Sequence, residues 1–322
     1  MNRIFLSRVC LLTLLLTTFS SAKEREVYDE SIESTRDFDL FGGPSREGPE
    51  VEWQIVQENI AKNKLKKAIK HAGYLTKAWP DNPLAVDAQR TKGDLYFALE
   101  EYPKAFDAYQ GLIDNYVGSF VYADILRQQL ECARKTEHKV YRSFFGLTSY
   151  KDPMEAVRLY RQLLTNAPHM KEAPRILYDL GEIYFREQKY LEAIQEFKVL
   201  EQSYPQSPLS LKAVIRTADA YEMLTKKNPT DVRPLEGELD TLNRFIHLYP
   251  EDERIAEIRL RRKKTYDRLA HLHFELAAYY ENILRRPDSA LVTYQSLLEQ
   301  FPDSEWTAPA RKRILEISQK AN

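Results

Sequence analysis

The sequence is poor in the residues that break helices, cross-link chains or span membranes. Ten glycines, 43% hydrophobic residues and a mean hydropathy of −0.53 in 322 residues describe a soluble, helix-rich chain. Beyond the first 22 residues no segment reaches 18 apolar residues, which excludes a transmembrane helix there. The net charge of −1 lacks the basic excess of a nucleic-acid-binding protein, so no nucleic-acid partner is expected.

Residues 1–22 have the pattern of a secretory signal peptide. Arg3 and Arg8 provide the positive start, an apolar stretch follows, and the small residues Ser20, Ser21 and Ala22 form a cleavage site. The apolar stretch is too short to remain as a membrane-spanning helix. We therefore expect cleavage after Ala22 and export of the mature chain.

Cysteine is almost absent, with only Cys10 and Cys132 in the chain. Cys10 lies inside the apolar stretch, whereas a lipidated cysteine would be the first residue of a mature chain. We expect Cys10 to be removed with the signal, which leaves Cys132 without a partner for an intramolecular disulfide. Because Cys132 falls within a predicted helix, we expect it to be buried rather than reactive.

The motifs of common enzyme chemistry are also missing. The sequence has no P-loop, no dinucleotide-binding glycine pattern, no nucleophile elbow and no zinc-binding H-E-x-x-H. His271 and His273 are two residues apart and therefore point to different sides of a helix. Neighbouring carboxylates lie near predicted helix ends, where solvation accounts for them. The sequence predicts no catalytic residue, no cofactor and no metal site.

What the sequence does contain is a repeated 14-residue pattern. Ala stands second and Leu ninth, with an aromatic residue usually sixth and Pro usually last. This spacing places the marked positions on one face of a helix that the Pro ends. The five copies are Lys67–Pro80, Lys104–Val117, Glu155–Pro168, Glu192–Pro205 and Ser289–Pro302.

A second signature precedes two of these copies. Gly93 and Gly181 each lie 12 residues before a repeated Ala and three residues before a Tyr. Gly inside a helix costs about 1 kcal/mol relative to Ala, so its recurrence at one place predicts close contact with a neighbouring helix. Together the two signatures match the helix-turn-helix pattern of tetratricopeptide repeats.

The sequence therefore predicts an all-α fold, a tetratricopeptide-repeat solenoid of about six helix pairs with a C-terminal capping helix. Residues 1–22 are the signal peptide, 23–50 a flexible linker and 51–322 the solenoid. The predicted units are approximately 51–83, 84–119, 120–170, 171–207, 208–252 and 253–306, with the cap at 307–322.

Three units depart from the regular pattern. The third has an aromatic-rich insertion, Lys139–Pro153, predicted as a loop that packs on the protein itself or contacts a partner. The fifth fits if residues 224–238 contain an eight-residue loop insertion, and it has Glu238 where Ala is expected. The residues expected to be buried in the degenerate first unit are Trp53, Ile55 and Ile60.

The sixth unit begins with a long predicted helix, Glu253–Arg286, and a final helix is predicted from Ala308 to about Lys320. Within the long helix the basic run Arg259 to Lys264 spreads around more than one face. A solvated helix accounts for this run, and contact with an acidic partner is the alternative.

In an array of this kind the first helices of the pairs line the concave face, where extended peptides can bind. Counting from Gly93 and Gly181 identifies positions on that face, and two aromatic residues of the third-unit insertion are further candidates. Rings that only cover neighbouring units are the alternative reading. The predicted partner-binding residues are Arg90, Asp94, Phe97, Phe144, Phe145, Tyr178, Glu182 and Phe185.

The end of the chain narrows the comparison to one family. The residues that carry the likeness are Arg268-Leu269-Ala270, Phe274, Ala277, Tyr279-Tyr280, Ala290, Leu297-Leu298 and Phe301-Pro302-Asp303-Ser304. With them, residues 51–322 resemble the BamD (ComL-type) component of the bacterial outer-membrane β-barrel assembly machinery. The family usually has a lipidated Cys at its mature N-terminus, which this sequence lacks.

The resemblance implies a periplasmic, non-enzymatic scaffold. Its later repeats would bind the periplasmic domains of a barrel-assembly protein, and its earlier repeats would receive unfolded outer-membrane protein segments. Peripheral association with the inner face of the outer membrane would then require a protein partner. The alternative resembles the periplasmic coordinator of cell division (the Tol-Pal-associated YbgF type), although no coiled-coil heptads precede residue 51.

Overall fold

The structure, a computed structural model, describes residues 43–44, 47–142, 149–150 and 152–321. The predicted signal peptide, its cleavage site and most of the predicted linker lie outside the described residues. The chain divides into two compact parts, the N-terminal part, which ends at Ala88, and the C-terminal part, which begins at Gln89.

The described residues fold almost entirely as α-helix, which confirms the all-α prediction. The helices are α1 Pro49–Ala61, α2 Leu65–Ala78, α3 Pro83–Ala98, α4 Tyr102–Asn115, α5 Tyr122–His138, α6 Pro153–Asn166, α7 Ala173–Arg186, α8 Tyr190–Ser203, α9 Pro208–Lys227, α10 Val232–Leu248, α11 Ile255–Asn282, α12 Pro287–Gln300 and α13 Thr307–Ala321. Two short strands, β1 Tyr141–Arg142 and β2 Ser149–Tyr150, lie between α5 and α6.

The helices pack in the order of the chain, as expected of tandem helix-turn-helix repeats. In the N-terminal part α1 packs against α2, and in the C-terminal part each helix from α4 to α13 packs against the next. The last pair, α11 and α12, shares one hydrophobic core with α13, which includes Leu269, Tyr294 and Ile317. Helix α13 thus takes the place of the predicted cap.

The repeated positions form the core of the helix pairs. The second-position Ala, the sixth-position residue and the ninth-position Leu are buried in all five copies, with at most 1% of each side chain exposed. Burial of this whole set accounts for the repetition, because each position faces an adjacent helix. The fifteen residues are Ala68, Ala72, Leu75, Ala105, Tyr109, Leu112, Ala156, Tyr160, Leu163, Ala193, Phe197, Leu200, Ala290, Tyr294 and Leu297.

The predicted glycine contacts are confirmed. A Cβ atom built on Gly93 would lie 2.5 Å from the Tyr109 ring, and one built on Gly181 would lie 2.4 Å from the Phe197 ring. In both units the glycine of the first helix therefore accepts the sixth-position ring of the second helix. The fifth unit reverses the arrangement, because Gly237 on α10 accepts the ring of Tyr221 on α9.

The end of each repeated helix is also fixed. Helices α2, α6, α8 and α12 all end two residues before the terminal Pro of their copy. Helix α4 ends at the same position although Val117 replaces the Pro. The stop therefore does not depend on proline alone.

The buried residues predicted for the first unit were wrong. Trp53, Ile55 and Ile60 are only half-buried, whereas Val56 and Glu52 are fully buried. These two buried residues are four apart and so lie on one face of α1. The Glu52 carboxylate is 2.7 Å from Nδ1 of His71 on α2, a contact that hydrophobic patterning could not reveal.

Both insertions differ from the predicted loops. In the third unit β1 and β2 pair antiparallel, with Tyr141 opposite Tyr150, and residues 143–148 between them lie outside the described residues. In the fifth unit only residues 228–231 separate α9 from α10, because the extra residues lengthen the two helices. Pro234 lies in the first turn of α10, where the missing N–H breaks no helical hydrogen bond.

Two further expectations can be compared with the structure. Cys132 is fully buried in α5, as predicted, and burial raises the pKa of its thiol to about 12. In the part of the chain that the structure describes, none of the helices has the length and apolar character needed to cross a bilayer.

The close approach of glycine and ring gives a test of the fold. We expect Gly181→Ala to lower the free energy of unfolding by about 1–3 kcal/mol, because the new methyl group must displace the buried Phe197 ring. Gly73→Ala is the matched control, since nothing lies within 4 Å of a Cβ there. The control should be neutral or stabilising by up to about 1 kcal/mol. Urea unfolding monitored by circular dichroism measures both, and equal effects would contradict the proposed contact.

Candidate functional site

The buried tyrosines of the repeats use their hydroxyl groups in a regular way. The Tyr109 hydroxyl donates to Asp94 at 2.7 Å, and that of Tyr160 donates to Glu137 at 3.1 Å. In each case the acceptor lies on the first helix of the same unit. The pKa of Tyr109 is raised, first by burial and then by the hydrogen bond to Asp94.

The fourth unit lacks this hydroxyl because its sixth residue is Phe197. Glu182 follows Gly181 just as Asp94 follows Gly93, so the two acidic residues occupy equivalent positions. The sixth position of this repeat offers Glu182 no hydroxyl group, and Glu182 pairs with Arg216 on α9 of the next unit. Arg216 donates from Nε at 2.6 Å and from Nη2 at 3.0 Å, which is a bidentate ion pair.

This pair begins a series of contacts that we call the charge ladder, formed by Glu182, Arg216, Asp219, Arg261 and Glu238. Nη1 of Arg216 lies 3.2 Å from Asp219, and Nη1 of Arg261 lies 2.7 Å from the same carboxylate. Nε of Arg261 then donates to Glu238 on α10 at 2.7 Å. The ladder therefore connects the first helices α7, α9 and α11 of three successive units.

Glu238 accounts for the irregular fifth unit. It occupies the place of the repeated Ala and is only 3% exposed. Burial raises the pKa of this carboxyl, and the Arg261 guanidinium opposes that rise. A buried carboxylate is costly without a counter-charge, so Arg261 and Glu238 depend on each other.

Three of the predicted partner-binding residues come together on α7 at the start of the ladder. Glu182 pairs with Arg216, whose guanidinium lies 3.9 Å from the centre of the Phe185 ring. The Tyr178 ring packs at 5.6 Å on Phe197, and its pKa is raised by burial and then by Glu182. All three are partly exposed, so contacts between units use only part of each side chain. Their role in partner binding stays a prediction.

The other predicted residues do not join this group. Arg90 and Asp94 are exposed on α3, and Phe97 is half-buried with its ring 5.2 Å from that of Tyr102. Phe144 and Phe145 lie outside the described residues. Their contribution to binding also stays a prediction.

Sequence reasoning missed an exposed apolar row on α11, formed by Leu276, Tyr279 and Ile283. Their exposed fractions are 46%, 47% and 67%, although Ile283 directly follows the last residue of the helix. Tyr279 comes 18 residues after Arg261, which is five full turns, so the row shares one side of α11 with the charge ladder. We call this side of α11 the ladder side. The signal was available, because α11 has apolar residues beyond those that face the core.

The basic run of α11 spreads over several faces, as predicted. Arg261 joins the charge ladder, and Lys263 pairs with Asp267 at 2.7 Å. His271 stacks on Trp306 at 4.1 Å between ring centres. Over the described ranges of the chain, no group of three or more His, Cys, Asp or Glu side chains is arranged to hold a metal ion.

Comparison with known families divides the chain into two regions. Residues 170–321 match the model of YfiO, an outer membrane lipoprotein family, and residues 56–119 match a tetratricopeptide-repeat model. The charge ladder and the apolar row both lie in the first of these regions. The chain thus carries tetratricopeptide repeats and a YfiO-like region. No curated protein matches it.

Several solved structures are similar to the chain at low identity. A tetratricopeptide repeat protein from Parabacteroides merdae is 15% identical, covering 84% of this chain and 98% of that one, with a TM-score of 0.28. The MamA protein is 14% identical over 64% of this chain and 95% of its own, with a TM-score of 0.29. The TPR2AB domain of yeast Sti1 is 12% identical over 84% and 98%, with a TM-score of 0.25. TM-scores this low say nothing about what this chain binds.

The dependence of Glu238 on Arg261 can be tested by a double-mutant cycle. We expect Arg261→Ala to lower the free energy of unfolding by about 2–4 kcal/mol, because it leaves the Glu238 carboxylate buried without its counter-charge. Adding Glu238→Ala should recover part of that loss, since Ala is the residue the repeat position normally holds. Urea unfolding at pH 7 measures both variants, and strictly additive losses would contradict the pairing.

The same pair predicts a pH dependence. The pKa of Glu238 is already raised in the folded protein, and removing Arg261 takes away the charge that opposes the rise. The folded variant then binds a proton more readily than the unfolded chain, so its stability increases as pH falls. The stability difference between wild type and Arg261→Ala should therefore shrink from pH 7 to pH 5. A difference that is constant or grows on acidification would refute this account.

Proposed function

We propose that this protein is a non-enzymatic periplasmic scaffold in the assembly of outer-membrane β-barrel proteins. The observation that carries the proposal is the exposed apolar row on α11, within the region that matches the outer membrane lipoprotein family. Exposed apolar residues grouped on one helix face mark a protein interface. The match supplies the cellular context in which such an interface would act.

The charge ladder supports the same proposal. It joins the first helices of three units by partly buried ion pairs, which hold those helices in fixed positions. The apolar row lies on the same side of α11 as Arg261, so a rigid framework presents it to a partner. A preorganised surface binds with less loss of conformational entropy than a mobile one.

Two partners follow from this reading. The row of Leu276, Tyr279 and Ile283 would bind the periplasmic domains of a barrel-assembly protein. The exposed polar residues of the second unit, Arg90 and Asp94, would contact unfolded outer-membrane protein segments. Attachment to the outer membrane would be peripheral and would depend on the first partner, with the signal peptide removed after Ala22.

A pull-down from envelope extracts tests the partner. The tagged chain is expected to capture a large barrel protein that has periplasmic domains. The double variant Leu276→Glu/Ile283→Glu should lose this capture, because two charges on the apolar row prevent burial of the interface. Leu191→Glu on α8 is the control, since it places a charge on an apolar residue that is 66% exposed and lies on a different helix from the row. Capture of only peptidoglycan-linked or division proteins would contradict the proposal and favour the cell-division alternative.

Membrane fractionation tests the location. We expect the protein to sediment with outer membranes and to be released when the barrel partner is depleted. The Leu276→Glu/Ile283→Glu variant should move to the soluble periplasmic fraction, whereas Leu191→Glu should not. Recovery of the wild-type protein in the cytoplasm would rule out the proposed site of action.

A further inference from the structure

The side of α11 opposite the charge ladder carries a cleft of about 690 Å³ with a cationic wall. Arg259, Arg262 and Lys263 of α11 line it, together with Asn243 of α10 and Asp303, which follows α12. Arg262 follows Arg259 by three residues, so the two guanidinium groups lie one helical turn apart and can reach the same ligand. The cleft is formed entirely by residues of the C-terminal part of the chain.

Arg262 is held in place without a counter-charge. Its Nε donates to Oδ1 of Asn243 at 2.5 Å, and its guanidinium carbon lies 5.7 Å from the centre of the Tyr266 ring. Arg216 and Arg261 contrast with it, because both pair with carboxylates. Within the described ranges, no carboxylate pairs with Arg262 or Arg259, and Arg262 is half-buried. A neutral amide thus fixes the direction of the guanidinium and leaves its charge and terminal nitrogens for another group.

The remaining charges narrow the class of ligand. Lys263 is partly neutralised by Asp267 at 2.7 Å, so the two arginines carry most of the attraction. Two guanidinium forks and an ammonium group offer more donors than the two oxygens of one carboxylate can accept, whereas a free or monoesterified phosphate group presents three or more terminal oxygens. Asp303 also lines the cleft and repels an anion, so the attraction must come from the α11 residues. Ile246 provides an apolar surface beside it for the uncharged part of the ligand.

We propose that this cleft binds a phosphate group, carried either by a lipid headgroup or by a soluble phosphorylated compound. Arg259 and Arg262 would donate to the phosphate oxygens, with Asn243 and Tyr266 keeping Arg262 in position. The site is independent of the proposed partner surface, because it occupies the other side of α11.

Paired variants of one helix test this site. The variant Arg259→Gln/Arg262→Gln removes both cleft arginines. The variant Lys264→Gln/Arg268→Gln is the matched control, because it removes the same charge from the ladder side of α11. The first probe is inorganic phosphate, measured by calorimetry. The second is flotation with phosphatidylcholine vesicles prepared with and without phosphatidic acid, a lipid whose headgroup is a phosphate monoester.

We expect the wild-type chain to bind at least one probe and the cleft variant to bind it about tenfold or more weakly, as loss of two charge-assisted contacts predicts. The control variant should bind like wild type. Binding of inorganic phosphate alone would identify a soluble ligand, and flotation only with phosphatidic acid would identify a lipid headgroup. The proposal would be overturned if the chain bound neither probe or if the two variants lost affinity equally. It would also be overturned if malonate, a dicarboxylate measured in the same way, bound more tightly than phosphate.

Discussion

The close contact between a small residue on one helix and an aromatic ring on its partner is the constraint on which the repeat stack depends. At Gly181 the ring of Phe197 occupies the space that a side chain would need, so the two helices of the unit pack backbone against ring. Such contacts fix the separation of the helices within a pair. In the second and fourth repeat units this contact sets the depth at which the buried Ala and Leu of the second helix pack.

The acidic residue that follows the glycine has different partners in the second and fourth repeat units. Where the ring is tyrosine, as at Tyr109, its hydroxyl occupies the acidic residue that follows the glycine. Where the ring is phenylalanine, as at Phe197, the equivalent Glu182 pairs instead with the next unit. The charge ladder begins at Glu182.

Helix α11 concentrates the features that bear on function. Its inner face completes the core of the last pair with α12 and α13. Its ladder side carries both Arg261 of the charge ladder and the exposed apolar row, and its opposite side forms the cationic wall of the cleft. A helix of 28 residues can combine these features because residues on its different faces contact different surroundings.

The sequence by itself determined the helical fold, the repeat and the helix ends, because each follows from residues within one or two turns of each other. The interval from Gly181 to Ala193 also predicted close helix contact. Only the tertiary structure decided that the extra residues of the fifth unit lengthen helices and that Glu238 is buried beside Arg261. It also decided that Glu52, rather than Trp53, lies in the core of the first unit. These outcomes depend on partners on other helices, such as Asp219 and Arg261 42 residues apart, and local periodicity carries no information about such pairings.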